Sequence, residues 1–277
     1  MSTSSERIEV FQDTLNWIEN DIELSASVIY SKEHTKIYWE NDYPEFDGAK
    51  ACDTEVTVTR DRSYQAAMRL AAENGGSRIA VMNFANAFHA GGGVVKGASA
   101  QEECLCRCST LYPVLNTPEL WEGFYEFHRD LHDSRATDAV IYTEDVVIIK
   151  SDTDLPEPLG RKDWVKTDVM TCAAPELRFK DYLPAEYSVS MTNEELYACH
   201  VSRGRHLLSI AAAKGADTLV LGAFGCGAFR NDPAVVSAAY RSLLEEFAGV
   251  FRKIEFAVFC QPWAIENYNT FAHVLQR

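Results

Sequence analysis

The chain's 277 residues are 47% hydrophobic and carry a formal net charge of −15, which suits one large α/β domain, or one domain with a decorated terminus, built around a full core. Such an excess of acid disfavours broad attraction to nucleic acid or anionic lipid, so no direct nucleic-acid binding is expected, and a polyanionic ligand has to be met by local donors. Eight cysteines without framework spacing, no apolar run near the roughly 18 to 20 residues of a membrane span, and the polar start MSTSSERIEV argue against secretion and predict a cytoplasmic protein with reduced thiols and no membrane partner.

No internal repeat, low-complexity tract or Pro/Gly/Ser linker separates two domains. In chain order, DRSYQAAMRLAAENGG (61–76) reads as a helix ending in a Gly pair suited to a C-cap, and RIAVMNF (78–84) as a buried strand. Next comes HAGGGVVKGASAQEECLCRCS (89–109), three consecutive glycines ahead of the adjacent carboxylates Glu102 and Glu103. One reading is a turn at Gly91 to Gly93 followed by the solvated first turn of a helix, where acidic residues are favoured. The other gives the segment a function, because it emerges at the carboxyl end of a buried strand, the usual ligand position in open α/β sheets. Cys104, Cys106 and Cys108 alternate faces of a helix, and no Cys or His pair with ligand spacing follows, so no metal is expected. His89 reads as an exposed loop residue.

AVIYTEDVVIIK (139–150) and WVKTDVMTC (164–172) read as further strands. The helix in TNEELYACHVSRGRHLLSIAAAKG opens with Thr192 and Glu195 in capping-box spacing. The strand TLVLGAF (218–224) then runs into Gly222, Gly225 and Gly227, after which Asn231 or Asp232 caps a helix with Pro233 in its first turn. Val236, Tyr240, Leu243, Leu244 and Phe247 recur at helical spacing, which holds the glycine loop between a buried strand and a packed helix. Such a loop lets backbone N–H groups approach a ligand, the helix end adds partial positive charge, and a diphosphate suits both. KIEFAVFC (253–260) is the last strand. The order β, α, β, β, α, β, α, β predicts helices packed on a mixed, mostly parallel sheet. The scattered Trp17, Trp39, Trp121, Trp164 and Trp263 read as core or groove packing.

Strand, glycine loop and helix also suit a dinucleotide-binding oxidoreductase, but the spacing here is Gly-x-x-Gly-x-Gly-x-Phe, not Gly-x-Gly-x-x-Gly. Glu245 and Glu246 stand at about the required separation but inside a helix, where a ribose at the loop is out of reach. Two flexible loops at one sheet edge, one with a carboxylate pair and one suited to phosphate, instead describe a cleft for a phosphorylated sugar with acid catalysis beside it.

The stretch GGGVVKGASAQEE resembles the Gly-Gly-Gly, spacer, Gln-Glu-Glu signature of the poly(ADP-ribose) glycohydrolase family, which is built on a macrodomain. VMNFANAFHAGGG, QEECLCRCSTLYPVL, DAVIYTEDVVIIKSD, VMTCAAPE and LVLGAFGCGAF resemble, in order, its shorter microbial-type branch, and VFQDTLNWIE is similar to that branch's N-terminal extension. The resemblance implies a three-layer α/β/α macrodomain-like fold with a mixed, mostly parallel central sheet, a helical extension over residues 1–55 and a catalytic domain over 56–277. It implies cleavage of ribose–ribose bonds in poly(ADP-ribose), mainly from chain ends, without a cofactor, and ADP-ribosylated proteins as partners.

By motif position Glu103 is the acid that protonates the leaving oxygen and then the base, and Glu102 a ligand of the ribose hydroxyl. Asn86 matches a residue contacting the same ribose. Gly91, Gly92 and Gly93 match the loop that wraps sugar and phosphate, and Gln101 orients that loop. Gly225, Cys226, Gly227 and Ala228 are the implied backbone donors to diphosphate, with Phe229 packed against the adjoining ribose. Two residues depart from the pattern: Ala90 stands where Pro is common and Glu176 where Asn is common. A module that only reads ADP-ribose, or removes single units from proteins, remains the alternative; the intact Gln-Glu-Glu separates them, since a reader needs no acid pair.

Overall fold

The computed structural model describes residues 2–46, 52–178 and 189–276. The chain opens with helices α1 (Ser4–Asn20) and α2 (Ile22–Glu33), then strands β1 (Thr35–Tyr38) and β2 (Glu55–Thr59), helix α3 (Ser63–Glu73), strand β3 (Ile79–Phe84) and helix α4 (Gln101–Cys108). Short helices α5 (Leu111–Leu115), α6 (Pro118–Leu120) and α7 (Phe127–Leu131) lead to β4 (Val140–Ile148) and β5 (Val165–Cys172). After these come α8 (Asn193–Ala213), β6 (Thr218–Leu221), α9 (Pro233–Glu246), β7 (Lys253–Ala257) and α10 (Glu266–Leu275).

The seven strands form one sheet in the order β1-β4-β5-β3-β6-β7-β2. β5, β3, β6, β7 and β2 run parallel, while β4 is antiparallel to both of its neighbours, β1 and β5. The mixed, mostly parallel sheet is therefore present. Two edge strands, β1 and β2, add to the five expected ones: TKIY is only four residues long, and EVTVT is mostly half-exposed, so neither presents an apolar run. The expected strands at 218–224 and 253–260 end early, at Leu221 and Ala257.

Side-chain alternation explains the layers. Along β3, Ala80 and Met82 join a core with Leu207, Leu208, Val236, Tyr240 and Phe271 of α8, α9 and α10, whereas Ile79 and Val81 join an opposite core with Tyr64, Leu70 and Leu105 of α3 and α4. Each fully buried large apolar side chain contributes about 1.5–3 kcal/mol, so a strand with both faces covered is firmly held. A third cluster, Ile18, Leu24, Val28, Val114, Val147 and Ile149, docks α1 and α2 on β4.

The caps follow the sequence. The Thr192 hydroxyl accepts from the Glu195 N–H (3.2 Å) while the Glu195 carboxylate accepts from the Thr192 N–H (2.8 Å), and Asp232 caps α9 with Pro233 at its first position. Trp17 and Trp164 meet edge to face with ring centroids 5.7 Å apart. Trp263 departs from the expectation of packing: it is 68% exposed in the turn before α10.

Candidate active site

The carboxyl ends of β3, β5, β6 and β7 open on one edge of the sheet, where the chain must leave each strand and backbone groups lose their ladder partners. A cleft of about 600 Å³ lies there, walled by Phe84 at the end of β3, Ala174 after β5, the loop after β6 and Val258 after β7. Gln101, Gly225, Gly227, Ala228 and Phe229 line it; the N-terminal Ser2 and Arg7 close one side. Glu102, Glu103, Asn86 and Gly91 to Gly93, which are not among the residues lining the cleft, form a second group in mutual contact.

Gln101 joins the two groups. Its side-chain oxygen accepts from the Phe84 N–H (2.9 Å), and its amide donates to the Met82 carbonyl (2.7 Å) and the Ser63 hydroxyl (2.9 Å). The first turn of α4 is thereby tied to the end of β3 and the start of α3, and none of these three bonds goes to the glycine loop that Gln101 was expected to orient.

Glu102 and Glu103 do occupy the first turn of a helix, but not a solvated one: they are 2% and 7% exposed. Glu102 accepts from the Asn86 N–H (2.8 Å) with one oxygen and from the Asn83 side-chain amide (3.3 Å) with the other. Burial holds its carboxyl well above the usual carboxylate range, against those hydrogen bonds and with the charge of Glu103 adding to the push. Glu103 accepts from the Gly93 N–H with Oε1 (2.8 Å), while its Oε2 is buried and has no hydrogen-bond partner among the described residues. A buried carboxyl oxygen in that state calls for an explanation of its own.

Both carboxylates converge on Gly92, whose φ is +58°. A Cβ there would stand 2.6 Å from Glu103 Oε1 and 2.9 Å from Glu102 Oε2, so only glycine lets the loop cross the acids. Gly91 lies against the ring of Tyr112. The half-buried Asn86 folds its side chain back to accept from the Phe88 N–H (2.8 Å). His89 is exposed, and the three cysteines of α4 are all buried. Among the described residues no group of three or more His, Cys, Asp or Glu side chains could hold a metal ion.

In the second loop, Gly225 takes φ +74° and packs its backbone against Ala174 and Asn231. Asn231 secures this geometry: its N–H donates to the Gly225 carbonyl (3.0 Å), its amide to the Pro175 carbonyl (2.7 Å), and its Oδ1 meets His200 Nε2 (2.7 Å). The Cys226 N–H already donates to the Ala223 carbonyl (3.1 Å), and its half-buried side chain packs toward the core. Gly227 differs from Gly225: its φ is not positive, and a Cβ would meet nothing within 4 Å. Of the two departures, Ala90 is buried and Glu176 accepts from Arg178 (2.5 Å).

Residues 10–151 match the family described as the microbial-type PARG (poly(ADP-ribose) glycohydrolase) catalytic domain. The chain belongs to this family. The poly(ADP-ribose) glycohydrolase of Thermomonospora curvata superposes with a TM-score of 0.84 at 29% identity over 96% of this chain and 98% of that one. The same enzyme bound to the inhibitor ADP-HPD gives 0.82 at 30% identity over the same shares. The Deinococcus radiodurans glycohydrolase in complex with ADP-ribose gives 0.76 at 31% identity, over 89% of this chain and 95% of that chain. No curated protein matches the sequence.

Several residues of this glycohydrolase-family site escaped the sequence reading. Asn83, fully buried, donates to both Glu102 and the Thr171 hydroxyl (3.2 Å); a lone polar residue in the apolar strand IAVMNF was the available signal. Arg62 lines the cleft with its guanidinium 4.1 Å over the Phe259 ring and an ion pair to Asp154. It follows β2, so recognising that edge strand would have put Arg62 at the same carboxyl edge. Asp152 also lines the cleft, and burial raises its carboxyl to about 6.

Proposed function

We propose that the protein hydrolyses the ribose–ribose O-glycosidic bonds of poly(ADP-ribose), mainly from chain ends, and releases ADP-ribose. The observation that carries this reading is the contrast within the carboxylate pair. Glu102 has both oxygens engaged by the protein, whereas Glu103 keeps one oxygen without a partner among the described residues. Glycoside cleavage through an oxocarbenium-like state needs one group to fix the sugar and another to pass a proton to the leaving oxygen. Glu102 suits the first task, with Asn86 beside it, and Glu103 the second. Once the leaving ribose has taken the proton, the Glu103 carboxylate accepts one from water as that water attacks the ribosyl carbon.

In the same reading, Gly91 to Gly93 follow the sugar and its phosphate, the loop from Gly225 to Ala228 takes the diphosphate, and Phe229 packs on the ribose. The end-directed preference is supported by Ser2 and Arg7 in the cleft wall. They bring the start of α1 to the path that a continuing polymer would take. ADP-ribosylated proteins are the expected source of substrate. No helix among the described residues is long and apolar enough to cross a membrane, in keeping with the proposed cytoplasmic setting.

The deciding experiment is digestion of an automodified polymerase carrying labelled poly(ADP-ribose), followed by separation of the products by size. Monomeric ADP-ribose from the earliest times and a persistent single unit on the protein are expected, because a protein-linked unit presents a different leaving group and a bulky neighbour. Early long oligomers would overturn the end-directed preference, and an intact polymer would overturn the reading as a whole.

A further inference from the structure

Glu103 and Arg107 stand four residues apart on α4, and therefore on one face of the helix. A closed ring of hydrogen bonds links them through the glycine loop. The Gly93 N–H donates to Glu103 Oε1 (2.8 Å), the Ala98 N–H donates to the Gly93 carbonyl (3.1 Å), and Arg107 Nη1 donates to the Ala98 carbonyl (2.6 Å). The helix backbone between residues 103 and 107 closes the ring. Arg107 is 2% exposed, with an edge on the cleft, and its Nη2 donates to the Cys104 thiol (3.2 Å).

A second arginine fastens the ring from outside. Arg7 Nε donates to the Gly97 carbonyl (2.6 Å), one residue before the carbonyl that Arg107 takes, while Arg7 Nη1 donates to the Ser2 carbonyl (2.5 Å). The Thr14 hydroxyl donates to the Arg107 carbonyl (2.6 Å), so α1 grips α4 and the loop together.

The Gly93 N–H is the hydrogen bond described on the Glu103 carboxyl, so the position of that N–H decides where Oε2 points. We infer that Arg107, with Arg7 behind it, is a positioning residue for Glu103. It holds the loop from Gly93 to Ala98 in the one place that aims the free oxygen. The inference rests on the glycohydrolase reading above. Its consequence is that damage to the ring lowers turnover and leaves ADP-ribose affinity nearly unchanged.

The test compares the intact chain with Arg107→Lys, Arg7→Ala and the double variant, measuring hydrolysis of labelled poly(ADP-ribose) and calorimetric binding of ADP-ribose. Since a displacement of about 1 Å costs on the order of 10² in rate, Arg107→Lys should lower kcat roughly 100-fold with KM and Kd within about threefold, and Arg7→Ala, which also removes a cation from the cleft wall, should lower kcat roughly tenfold. The double variant should lose little more than Arg107→Lys alone, because both substitutions open the same ring. A wild-type kcat in Arg107→Lys, or affinity that falls in step with kcat, overturns the assignment. If Arg107→Lys does not fold, Arg7→Lys, which keeps a cation in the cleft wall but loses the Nε donor to Gly97, decides: lowered kcat at unchanged affinity supports the ring, and unchanged kcat overturns it. An unmodified chain that leaves the polymer intact is a different result, for it overturns the glycohydrolase reading together with this inference.

Discussion

Glu102 and Glu103 are neighbours in sequence, yet the Asn83 amide and the Asn86 N–H occupy both oxygens of the first, and among the described residues only the Gly93 N–H reaches the second. Glu103→Gln keeps an oxygen for Gly93 and removes the transferable proton. Hydrolysis of labelled polymer should fall by at least roughly 10²- to 10⁴-fold while ADP-ribose binding stays within about tenfold. A variant with wild-type turnover would remove Glu103 from the chemistry.

The two glycines of the second loop should separate affinity from folding. Gly225→Ala puts a Cβ 2.6 Å from the Ala174 Cβ and 2.8 Å from Asn231 at φ +74°, and should lower stability by about 1–3 kcal/mol as well as affinity. Gly227→Val enters open space on the cleft wall, so its melting temperature should hold while ADP-ribose binding weakens. Calorimetry beside thermal unfolding reads both, and a Gly227→Val protein with unchanged affinity would exclude this loop from the ligand site.

Two buried groups should oppose each other in acid. Burial lowers His200 from 6.5 to about 4, so as pH falls through that window the unfolded chain binds a proton that the folded one refuses, and stability drops. Burial raises Asp152 from 3.8 to about 6, so over much of the same range the folded chain binds the extra proton and gains stability as pH falls. Each effect is on the order of 3 kcal/mol at about 1.4 kcal/mol per pKa unit. Asp152→Asn should therefore lose stability on acidification more steeply than the parent, and His200→Gln less steeply, in urea titrations across the range. Identical slopes for all three proteins would refute the opposition.

Lys150 is 1% exposed and donates to Asp13 (2.6 Å), itself 66% exposed, and to the Val10 carbonyl (3.1 Å). Asp13→Ala strands a buried ammonium, whereas Lys150→Met replaces it with apolar volume. With solvent around Asp13 discounting the loss, Asp13→Ala should cost about 1–3 kcal/mol and Lys150→Met less. The reverse order in chemical denaturation would mean that α1 is held by charge rather than by packing.

What could be read from the sequence was whatever reports on its immediate neighbours. Strand β3 was legible because a nearly continuous apolar run means burial on both faces, β4 and β5 because short apolar stretches flank their polar residues, and the caps of α8 and α9 because cap and partner lie within three residues. The carboxylate pair was visible, but its burial was not: whether the first turn of α4 faces water depends on Asn83, Asn86 and the crossing of Gly92, which topology brings together. Arg7 and Arg62 were invisible for the same reason, since their partners Gly97 and Asp154 lie 90 and 92 residues away. β1 and β2 escaped as short, half-exposed edge strands, which leave no strong periodicity.

The pairing of β2 with β7 joins residues such as Glu55 and Lys253, 198 positions apart, and the cleft wall needs Arg7 and Ser2 as well as Phe259 and Asn267. Contacts of such long range form late, because loop closure precedes any gain from them. A growing chain that has not yet reached β7 has its glycine loop and its carboxylates but no cleft. ADP-ribose therefore cannot assist the early stages of folding, and stabilisation by ligand begins only after the two ends of the chain have met.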